Sequence, residues 1–345
     1  SGNKKEDIFI LVGFFPDIMK KPLTFIMVII AIISALYFSP VEEEVNEIKF
    51  EEGDIEVRFC PDEDCEALLY GFINRSEEEV FCAFYDLDLE SIIGVLEEKD
   101  KEINVSLLLD KRNSDESGDM EYTKIIDKYY LMHNKFCVID KEKVFTGSMN
   151  PTDRGTHFNN NNMVFIESET LADNYRKMFL NLENNRKGVE TRHQILINGT
   201  IVRNYFCPKD SCAEKVKDEL RRAEKSIYFM TFSFTRKDIS NILIIKDYEN
   251  KSVKGIFEKT QNSQYSQYDY LKENGVDVIL DKNSYNMHHK VFIIDNETVI
   301  TGSFNPSNNA DKRNDENIII IEDEDITGKY VDEFFSIFNG QSQLK

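Results

Sequence analysis

The chain contains two copies of one polar motif, His-x-Lys-x4-Asp, and each copy is followed at the same distance by Gly-Ser-x-Asn. The copies occupy residues 133–150 and 288–305. Identical spacing in two distant segments indicates an internal repeat, so we expect two similar halves that each supply half of a site. The motif residues are His133, Lys135, Asp140, Ser148 and Asn150 in the first copy, and His288, Lys290, Asp295, Ser303 and Asn305 in the second.

Each copy predicts a hairpin of two strands, because Phe, Val, Ile and Thr flank a short polar turn. Side chains alternate between the faces of a strand, so His and Lys share a face, as do Ser and Asn. Asp140 and Asp295 have the opposite parity and are expected to have structural roles. Each half can therefore aim an imidazole, an ammonium, a hydroxyl and an amide at one place.

Two such half-sites would combine two cations with neutral hydrogen-bond donors, which favours a phosphate-like anion in a partly dry pocket. A phosphodiester fits this description. The two imidazoles suggest a division of labour in which a neutral one attacks phosphorus and a protonated one donates to the leaving oxygen.

These paired motifs resemble those of the phospholipase D superfamily, and the resemblance extends over about residues 55–335. It implies phosphodiester cleavage or transfer through a phospho-histidine, without a metal or another cofactor, on two α/β sandwich halves related by a pseudo-twofold axis. The compact halves are similar to the Nuc-like nuclease branch, joined in tandem. By resemblance, His133, His288, Lys135 and Lys290 are catalytic, and Ser148, Asn150, Ser303 and Asn305 bind substrate.

The two halves differ at a position where this superfamily commonly has an acidic residue that supports the histidine of the opposite half. The second half has Glu316 there, whereas the equivalent position of the first half is Asn161. We therefore expect Glu316 to orient and polarise His133, which makes His133 the nucleophile. His288, supported by an amide, becomes the acid.

Four cysteines form a second repeated feature, because a Cys-Pro-x3-Cys pair opens each half. The pairs are Cys60 with Cys65 and Cys207 with Cys212. Two local disulfides and one shared zinc site both remain open, and separate placement in the two repeats favours disulfides. The other two cysteines, Cys82 and Cys137, lie in apolar strands and are expected to be free and buried.

Residues 22–39 are apolar, with lysines before them and glutamates after them. A transmembrane anchor and a cleaved signal peptide are both consistent with this stretch, and we favour the anchor because no clear cleavage site follows. The charge asymmetry predicts a cytoplasmic tail over residues 1–21 and an extracytoplasmic catalytic region at the cell membrane.

The remaining sequence alternates apolar strands with amphipathic stretches, which predicts the α/β class. We expect a first half over residues 45–185 and a second over 198–340, joined by a polar linker around 184–200. Within each half, the order predicted is helix, strand, helix, strand, helix and motif hairpin. The second half carries eight additional residues before its histidine, placed near the Gln- and Tyr-rich stretch 261–270.

The net charge is −21, which argues against broad electrostatic binding to nucleic acid but allows a narrow basic pocket. The favoured function is an outward-facing nuclease that prefers single strands. The alternative is a phospholipase D or phosphatidyltransferase similar to a cardiolipin synthase, with a phospholipid as substrate. A binding protein that keeps the fold without turnover would lack a motif residue, and none is missing.

Overall fold

A computed structural model describes residues 48–114, 120–186 and 191–340, and residues 48–345 belong to one compact unit. The predicted tail and membrane segment, residues 1–21 and 22–39, lie outside the described residues. Within the described ranges, no helix is long and apolar enough to cross a membrane.

Strands alternate with helices along each half, as the sequence predicts. The strands of the first half and the segment before it are β1 (Lys49–Glu51), β2 (Ile55–Cys60), β3 (Glu79–Phe84), β4 (Asn104–Asp110), β5 (Thr123–Ile126), β6 (Lys135–Ile139), β7 (Lys143–Gly147) and β8 (Asn161–Glu167). Its helices are α1 (Cys65–Asn74), α2 (Glu90–Asp100), α3 (Asp153–His157) and α4 (Glu169–Glu183).

The second half repeats this order. Its strands are β9 (Gln194–Ile197), β10 (Thr200–Cys207), β11 (Ser226–Thr231), β12 (Ser252–Phe257), β13 (Asp277–Leu280), β14 (Lys290–Ile294), β15 (Thr298–Gly302) and β16 (Glu316–Glu322). Its helices are α5 (Cys212–Arg222), α6 (Lys237–Tyr248), α7 (Tyr268–Glu273), α8 (Asn308–Lys312) and α9 (Glu324–Phe338).

The strands form two mixed sheets, one for each repeat, and the α/β class is confirmed. The seven-stranded sheet has the order β2-β8-β7-β6-β3-β4-β5, and the nine-stranded sheet has the order β1-β9-β10-β16-β15-β14-β11-β12-β13. In both sheets the motif hairpin, β6-β7 or β14-β15, is antiparallel and central. The central position explains why β6 and β14 are buried along their whole length.

The inner faces of the two sheets share one apolar core with helices α4 and α9. This core joins Phe81 and Val138 of the first sheet to Ile293 of the second, and it includes Tyr175 of α4 and Tyr330 of α9. Separate clusters cover the outer face of each sheet. The shared core therefore fixes the position of the two motif hairpins relative to each other.

Three sequence-based expectations differ from the structure. Cys82 and Cys137, expected to be free, form a disulfide, because they are directly paired residues on the adjacent strands β3 and β6. The expected linker around 184–200 contains strand β9, whose Ile195 and Ile197 are buried. A strand, β5 or β13, stands directly before each hairpin, where a helix was expected; the second half places α7 before its strand.

Two other expectations are confirmed. Cys60–Cys65 and Cys207–Cys212 are disulfides, so all six cysteines of the chain are paired. Most of the additional residues of the second half lie between β12 and β13, around the short helix α7.

The aspartates of the two motifs brace the sheets, as predicted. Asp140 has a positive φ of 54° and its carboxylate accepts hydrogen bonds from the backbone N–H groups of Glu77, Glu78 and Glu79, at 2.7 to 3.1 Å. Asp295 accepts in the same way from the backbone of residues 224–226. Each aspartate thus ties the end of its motif strand to the start of the neighbouring strand.

Replacing Asp140 with alanine leaves three backbone donors without their acceptor, so we expect the free energy of unfolding to fall by about 2 to 3 kcal/mol. Urea unfolding under oxidising conditions measures this change. Asp173→Ala, at an exposed helical position, is the control and should change it by less than about 0.5 kcal/mol. A loss for Asp140→Ala no larger than for the control would contradict the bracing role.

Candidate active site

The two motif histidines meet where the halves join, directly before strands β6 and β14. The backbone N–H of His133 donates to the carbonyl of Asp315 at 2.9 Å, and that of His288 donates to the carbonyl of Asn160 at 2.9 Å. Each bond belongs to a short parallel bridge between the halves, Met132 with Asp315 and Asn160 with Met287. Each of the two motif histidines is therefore held by the backbone of the opposite half.

A buried carboxylate fixes the backbone just before each motif histidine. Asp110, at the end of β4, accepts from the N–H of Met132 at 2.8 Å, and Glu258, just after β12, accepts from the N–H of Met287 at 2.6 Å. The sequence analysis did not identify this pair. The sequence does contain a signal for this pair, because both repeats have an acidic residue at the end of their third apolar strand or directly after it.

The cross-half support of the histidines matches the prediction. Nδ1 of His133 lies 2.8 Å from Oε2 of Glu316, and Nδ1 of His288 lies 2.9 Å from Oδ1 of Asn161. Because both acceptors bind Nδ1, the Nε2 atom of each ring remains available to attack phosphorus or to donate a proton. One imidazole thus has a charged partner and the other a neutral one.

The two motif lysines are buried beneath the histidines. Nζ of Lys135 donates to the carbonyl of His133 and Nζ of Lys290 to the carbonyl of His288, both at 2.7 Å. Lys135 also lies over the ring of Tyr85, 5.1 Å from its centroid, and Lys290 over the ring of Phe232 at 5.2 Å. The two ammonium groups therefore have equivalent positions and equivalent contacts in the two halves.

An aromatic ring packs edge to face against each imidazole. Tyr85 lies 4.9 Å from the His133 ring, centroid to centroid, and Phe232 lies 4.6 Å from the His288 ring. Both are partly exposed and follow the second strand of their repeat, β3 or β11, closely. The sequence analysis missed them, although aromatic residues at equivalent repeat positions were a usable signal.

The serines downstream of the two hairpins make matching contacts in the two halves, whereas the asparagines do not. Both serine hydroxyls are buried and bind the supports of the histidines: Ser148 donates to Asn161 at 2.9 Å and Ser303 to Glu316 at 2.6 Å. In this arrangement they orient the imidazoles, and a contact of theirs with substrate stays a prediction.

The two asparagines also differ between the halves. Oδ1 of Asn305 accepts from the backbone N–H of Ser233 at 3.3 Å, whereas the buried Oδ1 of Asn150 has no hydrogen-bond partner within the described chain. Their predicted role in substrate binding is therefore a prediction for both.

A further histidine, His289, is fully buried behind this site. Its Nε2 lies 3.1 Å from Oε1 of Glu333, and its Nδ1 lies 3.1 Å from the side-chain nitrogen of Asn162. Asn162 in turn contacts the hydroxyl of Ser148 at 3.3 Å. The structure places His289 in the packing that supports the site.

Burial and mutual repulsion of the cations set the protonation of the site. Burial lowers the pKa of Lys135 to about 7, and burial together with the charge of Lys135 holds the pKa of Lys290 well below its usual range. Burial also lowers the pKa of His133, with Glu316 opposing the shift. The pKa of His288 lies well below its usual value because of burial and the two lysines.

A bound phosphodiester anion would counter this repulsion, because a negative charge next to a buried imidazole or ammonium favours its protonated form. Within the described ranges, no group of three or more His, Cys, Asp or Glu side chains is arranged to hold a metal ion. The arrangement can hold an oxyanion and move a proton at two Nε2 atoms.

Comparison with known families matches residues 69–183 and 216–338 to the family described as cardiolipin synthase, PLD-like domain. The two matched segments include both motif hairpins and more than half of the chain. The chain therefore belongs to the phospholipase D superfamily, with two phospholipase D-like halves in tandem.

Individual relatives are similar over smaller parts. A protein named phospholipase D from Rickettsia typhi is 36% identical over 132 residues, which cover 38% of this chain and 65% of that protein. The chain thus spans just under two thirds of that relative.

Two solved structures are also similar. Nuc from Salmonella typhimurium is 28% identical with a TM-score of 0.39, over 41% of this chain and 95% of that chain. Phosphatidylserine synthase from Haemophilus influenzae Rd KW20 is 13% identical with a TM-score of 0.61, over 81% of this chain and 86% of that chain, which shows a common fold.

The difference between Glu316 and Asn161 predicts opposite pH shifts for two variants. Glu316→Gln removes the charge that raises the pKa of His133, so His133 stays neutral to lower pH and the acidic limb of kcat/KM moves down. Asn161→Asp adds a charge that raises the pKa of His288, so His288 stays protonated to higher pH and the alkaline limb moves up.

Each limb is expected to move by about one pH unit or more. The shift is measured from pH profiles of kcat/KM with bis-p-nitrophenyl phosphate. Glu333→Gln, which alters a carboxylate bonded to His289, serves as the control and should leave both limbs in place. Movement of the alkaline limb in Glu316→Gln would instead assign the acid role to His133.

Proposed function

We propose that this protein is a phosphodiester hydrolase that acts through a phospho-histidine on His133, and that its substrate is single-stranded nucleic acid. The observation that carries the proposal is the unequal support of two matched histidines, by Glu316 for His133 and by Asn161 for His288. A carboxylate increases the nucleophilicity of the imidazole to which it is bonded.

The reaction has two steps. Nε2 of His133 attacks phosphorus while the bond from phosphorus to the leaving oxygen breaks, and that oxygen takes the proton from Nε2 of His288. Water then attacks the phospho-histidine and gives a proton to the now neutral His288, and the nitrogen–phosphorus bond breaks. Lys135 and Lys290 balance the negative charge on the phosphoryl oxygens in both steps.

Nucleic acid is favoured over lipid by the aromatic surroundings of the site. Tyr85 and Phe232 are partly exposed next to the two imidazoles, and Tyr129, close before His133 in the chain, is 86% exposed. Flat rings near a phosphate-binding site suit the stacking of bases in a single strand. A lipid enzyme would be expected to show an aliphatic rim instead.

Single strands are favoured over duplexes by the charge of the chain. The net charge is −21, and the part after residue 40 is more acidic still, because residues 1–40 hold four lysines against three acidic residues. Such a surface repels a stiff duplex over a large footprint, whereas one flexible strand can reach a local cationic site.

A phospholipid phosphodiesterase or phosphatidyltransferase is the second candidate. It is supported by the description of the matching family as cardiolipin synthase and by a relative named phospholipase D. The predicted membrane segment over residues 22–39 is consistent with it as well.

An extracytoplasmic location is part of the proposal. Three disulfides use all six cysteines of the chain, and structural disulfides persist mainly in oxidising compartments. An anchor over residues 22–39 with residues 1–21 in the cytoplasm would place the catalytic region there.

The proposed function predicts cleavage of a single-stranded oligonucleotide in the presence of EDTA, at a kcat/KM on the order of tenfold or more above that for the matching duplex. His133→Ala should abolish cleavage and show that the protein itself cuts. Gel analysis of end-labelled DNA and RNA measures the rates, and phosphatidylglycerol vesicles are tested in parallel. Headgroup release from the vesicles without any cutting of oligonucleotides would reject nucleic acid and favour the lipid enzyme.

A further inference from the structure

A groove with cationic sides lies next to the site, on the side of His133. Its cavity volume is about 660 Å³, and Met178, Leu182 and Phe206 contribute apolar surface to it. We call it the basic groove and define it by Lys128, Tyr129, Tyr130, Arg186, Lys312 and Arg313. None of these residues belongs to the repeated motifs.

The basic groove adjoins the chain segment that holds His133. Asp315 lines the groove, and its carbonyl accepts the hydrogen bond from the backbone N–H of His133 at 2.9 Å. The next residue, Glu316, is the partner of the His133 ring. The wall of the groove is thus part of the chain segment that holds the proposed nucleophile.

The lining is strongly cationic for a chain of this composition. Among the described residues that line the groove, five are lysines or arginines, with Lys209 as the fifth, and one is a carboxylate, Asp315, which pairs with Lys128 at 2.8 Å. This concentration of positive charge occurs in a chain whose net charge is −21. Such a local excess attracts a polyanion.

Aromatic rings are placed among these cations. The guanidinium of Arg313 lies over the ring of Tyr130, 5.1 Å from its centroid, and Tyr129 packs edge to face against Tyr130 at 4.8 Å. Tyr129 is 86% exposed, so its face is open to a ligand. Cations interleaved with exposed aromatic faces are typical of surfaces that bind single-stranded nucleic acid.

Among the residues that the structure describes, the other half does not reproduce the basic groove. The residue equivalent to Arg313 is Phe158, and the residue equivalent to Lys209, which also lines the groove, is Asp62. The corresponding surface beside β2 and α9 is lined by Glu63, Asp332 and Glu333, with Arg58 and Lys329. One side of the molecule is therefore cationic and its counterpart is acidic.

We propose that the basic groove binds the part of a nucleic-acid strand that remains attached to His133 after the first chemical step. This inference rests on the proposed function. The leaving oxygen departs opposite to the attacking Nε2, towards His288, so the other fragment stays attached to His133 through its phosphoryl group. Because the described residues form a cationic groove beside one histidine and an acidic surface beside the other, the strand binds in one direction, and all cuts leave the phosphate on the same end.

The test compares two double variants. Arg186→Ala/Arg313→Ala removes two exposed cations from the basic groove, and Arg58→Ala/Lys329→Ala removes two from the acidic counterpart as a charge-matched control. Each is assayed with a single-stranded oligonucleotide of about 16 nucleotides and with bis-p-nitrophenyl phosphate, which is too small to reach from the site into the groove.

For the groove variant, the ratio of kcat/KM for the oligonucleotide to kcat/KM for bis-p-nitrophenyl phosphate should fall on the order of tenfold. The slope of log affinity against log salt should become shallower by about 1.4, the value for two lost phosphate contacts on a single strand. The control should change neither quantity, and Tyr129→Ala should weaken oligonucleotide binding about fivefold through lost stacking.

An unchanged ratio and slope in the groove variant would overturn the inference, as would products that carry the phosphate at both kinds of end. Failure of the proposed function gives a different result, because the unaltered protein would then hydrolyse bis-p-nitrophenyl phosphate without cutting the oligonucleotide.

Discussion

The site depends on the exchange of backbone hydrogen bonds between the two halves. The N–H groups of His133 and His288 are bound by carbonyls of the opposite half, and the residues next to those carbonyls, Glu316 and Asn161, bind the imidazole rings. Either half alone would have a histidine without its ring partner. The apolar core shared by the two sheets keeps this exchange in register.

Burial of the two lysines makes the site costly to form and selective for anions. Lys135 and Lys290 are nearly inaccessible, and the charge of Lys135 lowers the pKa of Lys290, so the empty site is short of negative charge. A phosphodiester anion supplies that charge and makes a protonated His288 easier to form. In the proposed mechanism, substrate binding and protonation of the general acid are therefore linked by one electrostatic effect.

Much of the site was predictable, because the repeat makes equivalent residues visible. The motif hairpins and the structural roles of Asp140 and Asp295 follow from spacing and alternation, and a comparison of the halves shows that Glu316 is equivalent to Asn161. The resemblance to a known superfamily supplied the expectation that the supports cross between the halves. The two local disulfides could be expected from their place in each repeat.

Other features depend on tertiary structure. Cys82 and Cys137 are far apart in the chain and bond only because β3 and β6 are neighbours in the sheet. The fourth strands, β5 and β13, are short and occur where the sequence predicted a helix.

The basic groove combines residues from distant segments, such as Lys128, Arg186 and Arg313. Their proximity could not be read from spacing within any one segment. The difference between the described surfaces of the two halves depends on individual lining residues, such as Arg313 in one half and Phe158 in the other.

The central claim is that Glu316 makes His133, and not His288, the nucleophile. Acid-free quenching of the enzyme during turnover of bis-p-nitrophenyl phosphate, followed by peptide mass spectrometry, locates the phosphoryl group directly. The account predicts phosphorylation of His133, with more of it accumulating in His288→Ala, where release by water lacks its base. Phosphorylation of His288 in the unaltered protein would contradict the account.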